Sequence, residues 1–299
     1  MICLITGATG DVGSKVADAL LARGARPRVL VRDSNRARSR WGDRVDLFVG
    51  DLADPEALGK AMAGVHSVFL VNSGPGIPAR DEMAASAARA RGVRHLVKLS
   101  SLDVRQGLAI GAWHERGEAA VRAAHVPFTF LQPSGFMSNL LAWSGSIRKE
   151  GIVRSSTGGG RRAFIHSADI AAVATEVLLS GAHVGESLPL TGPESLTFAE
   201  VTARIAAAIG KPLTFQPISD EEAWQRYRAT GAPTEETDAH VALWRAIREG
   251  RPGTVTGTVE RILMRKPISL DQWIFENLSA FRDCPPTPRP EERPPAEPG

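Results

Sequence analysis

The sequence predicts an α/β fold with a doubly wound parallel sheet and a smaller C-terminal α/β part. Short apolar runs alternate with Ala-, Leu- and Arg-rich helical stretches through the first half of the chain, which is typical of βαβ units. A glycine-rich turn also joins the first apolar run to the first helical stretch, within "ICLITGATGDVGSKVADALLARG". Ligands of such sheets bind at the carboxyl ends of the strands.

The glycine-rich turn predicts an anion site. Residues 2–5 form a short apolar run, and apolar residues at helical spacing begin at Val12, so Gly7, Gly10 and Gly13 lie between a strand and a helix. The free N–H groups of the helix's first turn and the positive end of its dipole favour a phosphate there. A purely structural glycine turn is the alternative, but the strand before and the helix after supply the context that a phosphate-binding motif requires.

Later segments complete the predicted organisation. Five further apolar runs predict strands over residues 26–32, 45–50, 65–71, 93–100 and 126–132. From about residue 185 the pattern changes to scattered helices with Trp and Tyr, which is typical of a smaller cap. The predicted units are a sheet domain on which parts of the later chain pack, a substrate domain and a disordered Pro-rich tail, over residues 1–184, 185–282 and 283–299.

Composition restricts the classes of function. The chain has 299 residues, of which 43% are hydrophobic, enough for a substantial core. A net charge of +3 gives no reason to propose a nucleic-acid partner. Only two cysteines, no apolar run of about 18 residues and no signal peptide indicate a cytoplasmic protein without disulfides and without a membrane partner. The histidines show no metal-ligand spacing, and an oligomer is left open.

The end of the second strand predicts the nucleotide. An acidic residue there is typical of NAD, whereas an arginine accommodates the 2′-phosphate of NADP. The strand ends in "LVRDSNRARSR", where Arg32 and Arg36 are suited to pair with that phosphate. The other arginines of this run are interpreted as a solvated helix face. Asp33 keeps NAD possible, but the local excess of arginine favours NADPH.

Six segments together resemble a known family. "ITGATGDVGSKVADALLARG", "LVRD", "GDLADPEAL", "VKLSSLDV", "PFTFLQPSGFMSNL" and "HSADIAAVATEVL" occur in this order, and they resemble the NmrA-like, atypical branch of the short-chain dehydrogenase/reductase superfamily. The resemblance spans residues 1 to about 280. It implies a Rossmann-like fold, a small C-terminal substrate domain and NADPH-dependent reduction of quinones, carbonyls or related conjugated compounds. Some members of the family are catalytically silent sensors of nucleotide redox state.

The resemblance also implies roles for individual residues. Those that would meet the pyrophosphate are Gly7, Thr9, Gly10, Asp11 and Val12. Arg32 would meet the 2′-phosphate, and Asp51 and Leu52 would flank the adenine. Val71, Asn72 and Ser73 would lie beside the nicotinamide ribose, and Gln132, Pro133 and Phe136 near the nicotinamide. Gln132 is a departure, because the family often has Arg at this position.

A larger departure concerns the proton donor. Most of the superfamily uses a Tyr-x-x-x-Lys pair on the helix after the fifth strand. That helix reads "AWHERGEAAVRAA" here and contains neither residue; the single Tyr of the chain is Tyr227. The usual mechanism is therefore excluded at that helix. Another group must supply the proton, or water supplies it, or no reduction occurs.

His114 is one candidate donor, and Ser101 matches the superfamily's carbonyl-binding serine. His114 and Glu118 are one helical turn apart, and a carboxylate beside the imidazole would favour the imidazolium. An exposed ion pair is the equally weighted alternative. For Ser101, the alternative is a hydroxyl that closes a turn at the end of a strand.

The predicted substrate is a small, flat, conjugated molecule. Phe136, Met137, Trp143 and Trp224 would form an apolar, partly aromatic pocket for it, although the same residues could form an inter-domain core. Three functions follow from these observations. The favoured one is NADPH-dependent reduction of a quinone, enone or ketone; the alternatives are a silent NADP(H) sensor and a non-redox isomerase or cyclase on the same fold.

Overall fold

The computed structural model describes residues 1–251 and 253–282 and has a seven-stranded parallel sheet at its centre. The strands run in the order β3-β2-β1-β4-β5-β6-β9, and all six pairings are parallel. They are β1 (Cys3–Thr6), β2 (Arg28–Val31), β3 (Asp46–Val49), β4 (Ser67–Leu70), β5 (His95–Leu99), β6 (Phe128–Pro133) and β9 (Ser187–Leu190). The strand order reverses between β1 and β4, which creates a crevice at their carboxyl ends.

Two small ribbons lie outside this sheet. Strands β7 (Ile152–Ser155) and β11 (Thr214–Pro217) pair in parallel, and β8 (Arg161–Arg162) pairs antiparallel with β10 (Leu196–Thr197). Each joins a segment within residues 152–162 to one within residues 196–217.

Helices cover both faces of the sheet and build the second unit. They are α1 (Asp11–Ala22), α2 (Ser34–Trp41), α3 (Pro55–Met62), α4 (Ile77–Ala90), α5 (Ala109–Ala123), α6 (Ser144–Glu150), α7 (Ser167–Ser180), α8 (Phe198–Ile209), α9 (Asp220–Arg228), α10 (Thr234–Arg248), α11 (Thr258–Leu263), α12 (Leu270–Glu276) and α13 (Leu278–Phe281). Short 3-10 segments occupy residues 42–44, 102–106 and 137–143.

The sheet separates two apolar cores because successive side chains of a strand point to opposite faces. On β1, Ile5 packs in the core shared with α1, α2, α7 and α11, whereas Leu4 packs in the core shared with α3, α4 and α5. Both faces of the strands are therefore buried, which explains why they appear in the sequence as continuous apolar runs. The predicted doubly wound α/β fold is confirmed.

A third core holds together the unit that we call the cap: the 3-10 segment 137–143, α6, α8, α10, α12 and α13, with α9 packed on α10. Its buried residues include Met137 and Ile147 from the middle of the chain and Trp273 from near its end. Segments on both sides of residue 184 thus contribute to the sheet and to the cap. The predicted domain boundary at residue 184 stays a prediction. The tail predicted for residues 283–299 lies outside the described residues.

Two glycines are required where α1 approaches β1. Gly7 has φ +57°, a conformation that side-chain-bearing residues rarely adopt. A Cβ on Gly13 would lie 2.3 Å from the Gly7 carbonyl oxygen, so the helix could not approach the loop as closely. The glycine spacing thus serves the packing of α1 against β1.

We expect Gly13→Ala to lower the free energy of unfolding by about 1–3 kcal/mol, because the new methyl group overlaps backbone atoms that cannot move aside. The matched control is Gly145→Ala in α6, where an added Cβ has no heavy atom within 4 Å. That variant should be neutral or stabilised by up to about 1 kcal/mol. Urea unfolding of the two variants checks the difference; equal effects would contradict it.

Candidate active site

A cavity of about 830 Å³ runs from the glycine-rich loop to the cap. Its floor is the carboxyl end of the sheet, with residues that follow β1, β4, β5 and β6. Its far wall comes from the 3-10 segment 137–143, α8, α9 and α10, and it combines apolar and aromatic side chains such as Trp143 and Phe198 with polar ones such as Arg226. One continuous space therefore joins the predicted nucleotide site to the predicted substrate site.

The glycine-rich end of the cavity suits a pyrophosphate. The N-cap residue of α1 is Gly10, so no side chain satisfies the first-turn N–H groups, and both they and the helix dipole favour an anion. The Asp11 carboxylate is engaged elsewhere, since it accepts hydrogen bonds from Ser138 (2.7 Å) and Ser167 (3.0 Å) and pairs with Lys15. Burial raises the pKa of Asp11, but these partners outweigh it and lower the pKa overall. Asp11 thus ties α1 to the cap and to α7.

The residues predicted to bind the adenine half lie along the carboxyl ends of β2 and β3. The Arg32 side chain is 85% exposed, with Nε 3.9 Å from the Asp51 carboxylate. Arg36 Nη2 donates to the Thr9 carbonyl at 3.4 Å, which places a second guanidinium against the glycine-rich loop. Asp33, the residue that kept NAD open, caps α2 by accepting from the Asn35 N–H at 2.8 Å. Its carboxylate is thus used locally, which favours NADPH.

The segments predicted to surround the nicotinamide meet at the cavity floor. Val71, Asn72 and Ser73 line it after β4, and Pro133 and Phe136 line it after β6. Their roles toward the nicotinamide stay predictions.

Gln132 faces away from the cavity. Its amide donates to Glu118 Oε1 at 2.8 Å and its oxygen accepts from Arg105 at 2.6 Å, both within the protein. Its side chain therefore does not line the cavity, and its predicted place near the nicotinamide stays a prediction. Alternation along β6 is the reason: Pro133 lines the cavity, and the preceding side chain lies on the opposite face.

Two predicted substrate residues also lie outside the cavity. Met137 is buried in the cap core, because the backbone pairing of its segment with Ile165 turns it inward. Trp224 faces away on α9, where its indole N–H donates to Asp238 at 2.8 Å. Trp143 and Phe136 do line the cavity. Met137 and Trp224 therefore do not line the cavity in this structure, and their substrate assignments stay predictions.

A buried charged network, which the sequence analysis missed, lies below His114. The Lys98 ammonium is 2.7 Å from Asp81 Oδ2, and their side chains are 1% and 0% exposed. Asp81 Oδ1 accepts from the Asn72 amide at 2.7 Å. Lys98 Nζ also lies 3.5 Å from Nδ1 of His114, which is partly exposed to the cavity. A lysine inside an apolar strand run was the available signal, because a buried ammonium requires a partner.

Glu118 does not contact His114. It accepts from Ser100 Oγ at 2.6 Å and from Gln132 at 2.8 Å, and Arg122 lies 3.3 Å from its other oxygen. Both burial and the nearby charge of Lys98 lower the pKa of His114, to about 3. The expected pairing of His114 with Glu118 is thus not formed, and the lowered pKa favours a neutral imidazole at neutral pH. Helical spacing placed the two side chains on one face, but Glu118 turns to Ser100 after β5, Gln132 of β6 and Arg122 of α5, while His114 meets Lys98 of β5.

Ser101 closes a turn at the cavity wall. Its hydroxyl accepts from the Asp103 N–H at 3.2 Å and donates to the Asp103 carboxylate at 3.0 Å. Asp103 in turn pairs with the buried Arg162 at 3.2 Å. The turn-closing role is thus present, and the carbonyl-binding role stays a prediction.

The cap end of the cavity carries a second polar group. Tyr227 Oη lies 3.0 Å from Glu236 Oε1 and 3.2 Å from His240 Nε2. Burial raises the pKa of Tyr227, and its hydrogen bond to Glu236 raises it further. The single Tyr of the chain therefore lies in the cap, bonded to a carboxylate, and not on α5.

Together, the parallel sheet, the glycine-rich turn at its switch point and the uncapped helix define a dinucleotide-binding protein of Rossmann type. The chain belongs to the NAD(P)H-binding family, whose model matches residues 7–180. The predicted family is confirmed. In the part of the chain that the structure describes, no acidic, His or Cys cluster could hold a metal, and no helix is long and apolar enough to span a membrane.

Relatives cover nearly the whole chain. It is 37% identical to a (4-alkanoyl-5-oxo-2,5-dihydrofuran-3-yl)methyl phosphate reductase of Streptomyces griseus and 32% identical to an NAD(P)H azoreductase of Xenophilus azovorans. Each alignment covers 93% of this chain and 98% of the relative. Among solved structures, an Escherichia coli NADPH-dependent quinone oxidoreductase complexed with NADPH matches 93% of this chain and 99% of its own, with a TM-score of 0.85 at 23% identity. That likeness shows the fold.

The neutral state of His114 predicts how stability depends on pH. Its pKa in the folded protein, about 3, is below the ~6.5 of an unfolded chain, so the unfolded state binds more protons between these values. The free energy of unfolding should therefore fall as the pH drops from ~6.5 to ~3, by up to about 5 kcal/mol from this group. Urea unfolding of His114→Gln should show a flatter pH dependence.

The control is His125→Asn. His125 is exposed and has φ +54°, a conformation that Asn tolerates. This variant should keep the wild-type pH dependence. If His114→Gln and wild type have parallel profiles over this range, the assignment of a buried neutral imidazole is wrong.

Proposed function

We propose that this protein is an NADPH-dependent reductase of a small conjugated molecule, such as a quinone, an enone or a ketone. The observation that carries the proposal is the continuous cavity, in which an anion-binding glycine loop and an apolar, aromatic wall share one space. The reductase names of the two relatives at 37% and 32% identity support it. A cytoplasmic place of action is part of the same proposal.

The choice of NADPH over NADH rests on the adenine end. Arg32 and Arg36 bring two guanidinium groups to the carboxyl end of β2, and Asp33 is engaged as the cap of α2. Guanidinium groups form strong, paired hydrogen bonds with phosphate. NADH has only a 2′-hydroxyl at this position, so it would offer the two guanidinium groups no negative charge.

The cofactor would supply the reducing group, and the protein would hold the cofactor and the substrate next to each other. Reduced nicotinamide, when bound, supplies a hydride. Asn72, Pro133 and Phe136 would flank its ring at the cavity floor. Trp143 and Phe198, whose rings are 5.4 Å apart, form part of the apolar wall across from it. A flat substrate between floor and wall would be shielded from water, which strengthens the interactions that act on its carbonyl.

The test is anaerobic mixing of the protein and NADPH with a panel of quinones, enones and aromatic ketones, followed by absorbance of the reduced nicotinamide. We expect turnover with at least one class. Tight NADPH binding without any turnover would overturn the reductase and favour the sensor, for which the absence of the Tyr-Lys pair from α5 is the supporting observation. Chemical change of a substrate without NADPH consumption would favour an isomerase or cyclase.

For cofactor choice, we expect Arg32→Ala to weaken NADPH roughly ten- to a hundredfold, because a charge-assisted hydrogen bond contributes about 1.5–3 kcal/mol. NADH affinity should change little, since NADH lacks the 2′-phosphate. The matched control is Arg38→Ala, on the exposed face of α2. Fluorescence titration with both nucleotides checks this. Equal losses for NADPH and NADH, or an equal effect of Arg38→Ala, would contradict it.

A further inference from the structure

Lys98 determines which nitrogen of His114 can accept a hydrogen bond. Lys98 Nζ lies 3.5 Å from His114 Nδ1 and 2.7 Å from Asp81 Oδ2. The buried carboxylate keeps the lysine charged, because each ion compensates the other. An ammonium has three donors and no acceptor. His114 Nδ1 must therefore accept, and the ring proton lies on Nε2.

The position of Asp81 is set by a close approach of two helices. A Cβ on Gly117 of α5 would lie 2.0 Å from Asp81 Oδ2 on α4. Only a glycine there lets the carboxylate lie between α4 and α5, where it meets both Lys98 and Asn72. The network is thus built into the packing of these helices.

No carboxylate near α5 competes for the imidazole. On α5 itself, Glu118 is held by Ser100, Gln132 and Arg122, and Glu115 is exposed to solvent. On the neighbouring 3-10 segment, Asp103 is paired with Arg162, while Arg105 bonds Gln132.

On α10, which also packs against α5, Glu236 accepts from Tyr227, and His240 contacts that same hydroxyl. On α4, Asp81 is paired with Lys98. Lys98 is therefore the charged group that His114 meets directly within the described residues.

We propose that Lys98 is a positioning residue that holds His114 as a neutral imidazole with its proton on Nε2, and that this N–H binds the carbonyl oxygen of the substrate. The binding of a substrate carbonyl rests on the proposed reductase function, whereas the tautomer of His114 does not. A neutral imidazole can polarise a carbonyl without losing its proton. His114 lines the cavity beside Ser100 and Ser101, at the carboxyl end of β5.

The reduction is balanced if water supplies the proton. The hydride forms the new C–H bond, and the π pair of the conjugated carbonyl moves to its oxygen. The His114 N–H stabilises that negative charge by hydrogen bonding and stays on nitrogen. A proton from water then completes the reduced product, so the substrate gains two electrons and two hydrogens while the nicotinamide is oxidised. This role removes the need for a Tyr-Lys pair.

The first test is ¹⁵N NMR of the histidine side chains in the protein without nucleotide, with His114→Gln used for assignment. We expect His114 to show a bare Nδ1 and a protonated Nε2, unchanged between about pH 5 and 8. The double variant Asp81→Asn/Lys98→Met removes both buried charges together. It should raise the pKa of His114 and let the second tautomer appear.

Lys60→Met is the control for loss of a positive charge, since Lys60 pairs with Glu56 on the surface. It should leave the His114 spectrum unchanged. A proton on Nδ1, titration near the ordinary ~6.5, or a double variant with an unaltered spectrum would each overturn the role of Lys98.

The second test is kinetic. His114→Phe should lower kcat for a carbonyl substrate by about 10²–10³, the effect of removing one preorganised donor, with NADPH affinity unchanged. His114→Gln should recover part of the rate, because its amide can donate. Wild-type kcat should be independent of pH from about 5 to 8. A kcat that falls as a histidine deprotonates, or the absence of rescue, would overturn the donor role.

The two tests separate the two proposals. If no substrate is turned over, the reductase and the donor role fail together, while NMR still decides whether Lys98 sets the tautomer. If turnover is found and the tautomer is the opposite one, the reductase stands and this inference fails.

Discussion

The buried ion pair between Asp81 and Lys98 is the constraint on which the site depends. Two charges removed from water must compensate each other, so α4 and β5 are held at a fixed distance. That distance orients Asn72 at the cavity floor and presents the ammonium to His114. It also requires Gly117, because a side chain there would overlap the Asp81 carboxylate. One electrostatic requirement thus fixes a helix contact and an amide, and it places an ammonium beside the His114 ring.

The cavity exists because the chain returns to the sheet more than once. The 3-10 segment 137–143 leaves β6 to pack with the C-terminal helices, and the chain then comes back to form α7 and β9. The wall opposite the glycine-rich loop is therefore made from segments distant in sequence. Asp11, at the start of α1, bonds Ser138 of the cap, so the anion site and the wall are directly joined.

Much of the fold and of the nucleotide end could be predicted, because these depend on local rules. The turn around Gly7 and Gly13 reflects backbone conformation and close approach, both of which are properties of glycine itself. The apolar strand runs follow from burial on both faces of a parallel sheet. The orientation of the proposed substrate residues could not be predicted: Met137 and Trp224 are apolar or aromatic, but they face the cap core and the surface of α9. The type of a residue does not determine which way its side chain faces in the folded protein.

By itself, the sequence determined the parallel sheet, the glycine-rich anion site and the missing Tyr-Lys pair, since each depends on residue types at short spacing. The tertiary structure decided the state of His114. Helical spacing placed Glu118 on the same face, which indicated a charged imidazole. In the folded chain Glu118 is taken by Ser100 and Gln132, and Lys98 lies beside the ring instead. Burial of the ring and the nearby charge of Lys98 on β5 lower the pKa of His114, and neither is visible in the local pattern of α5.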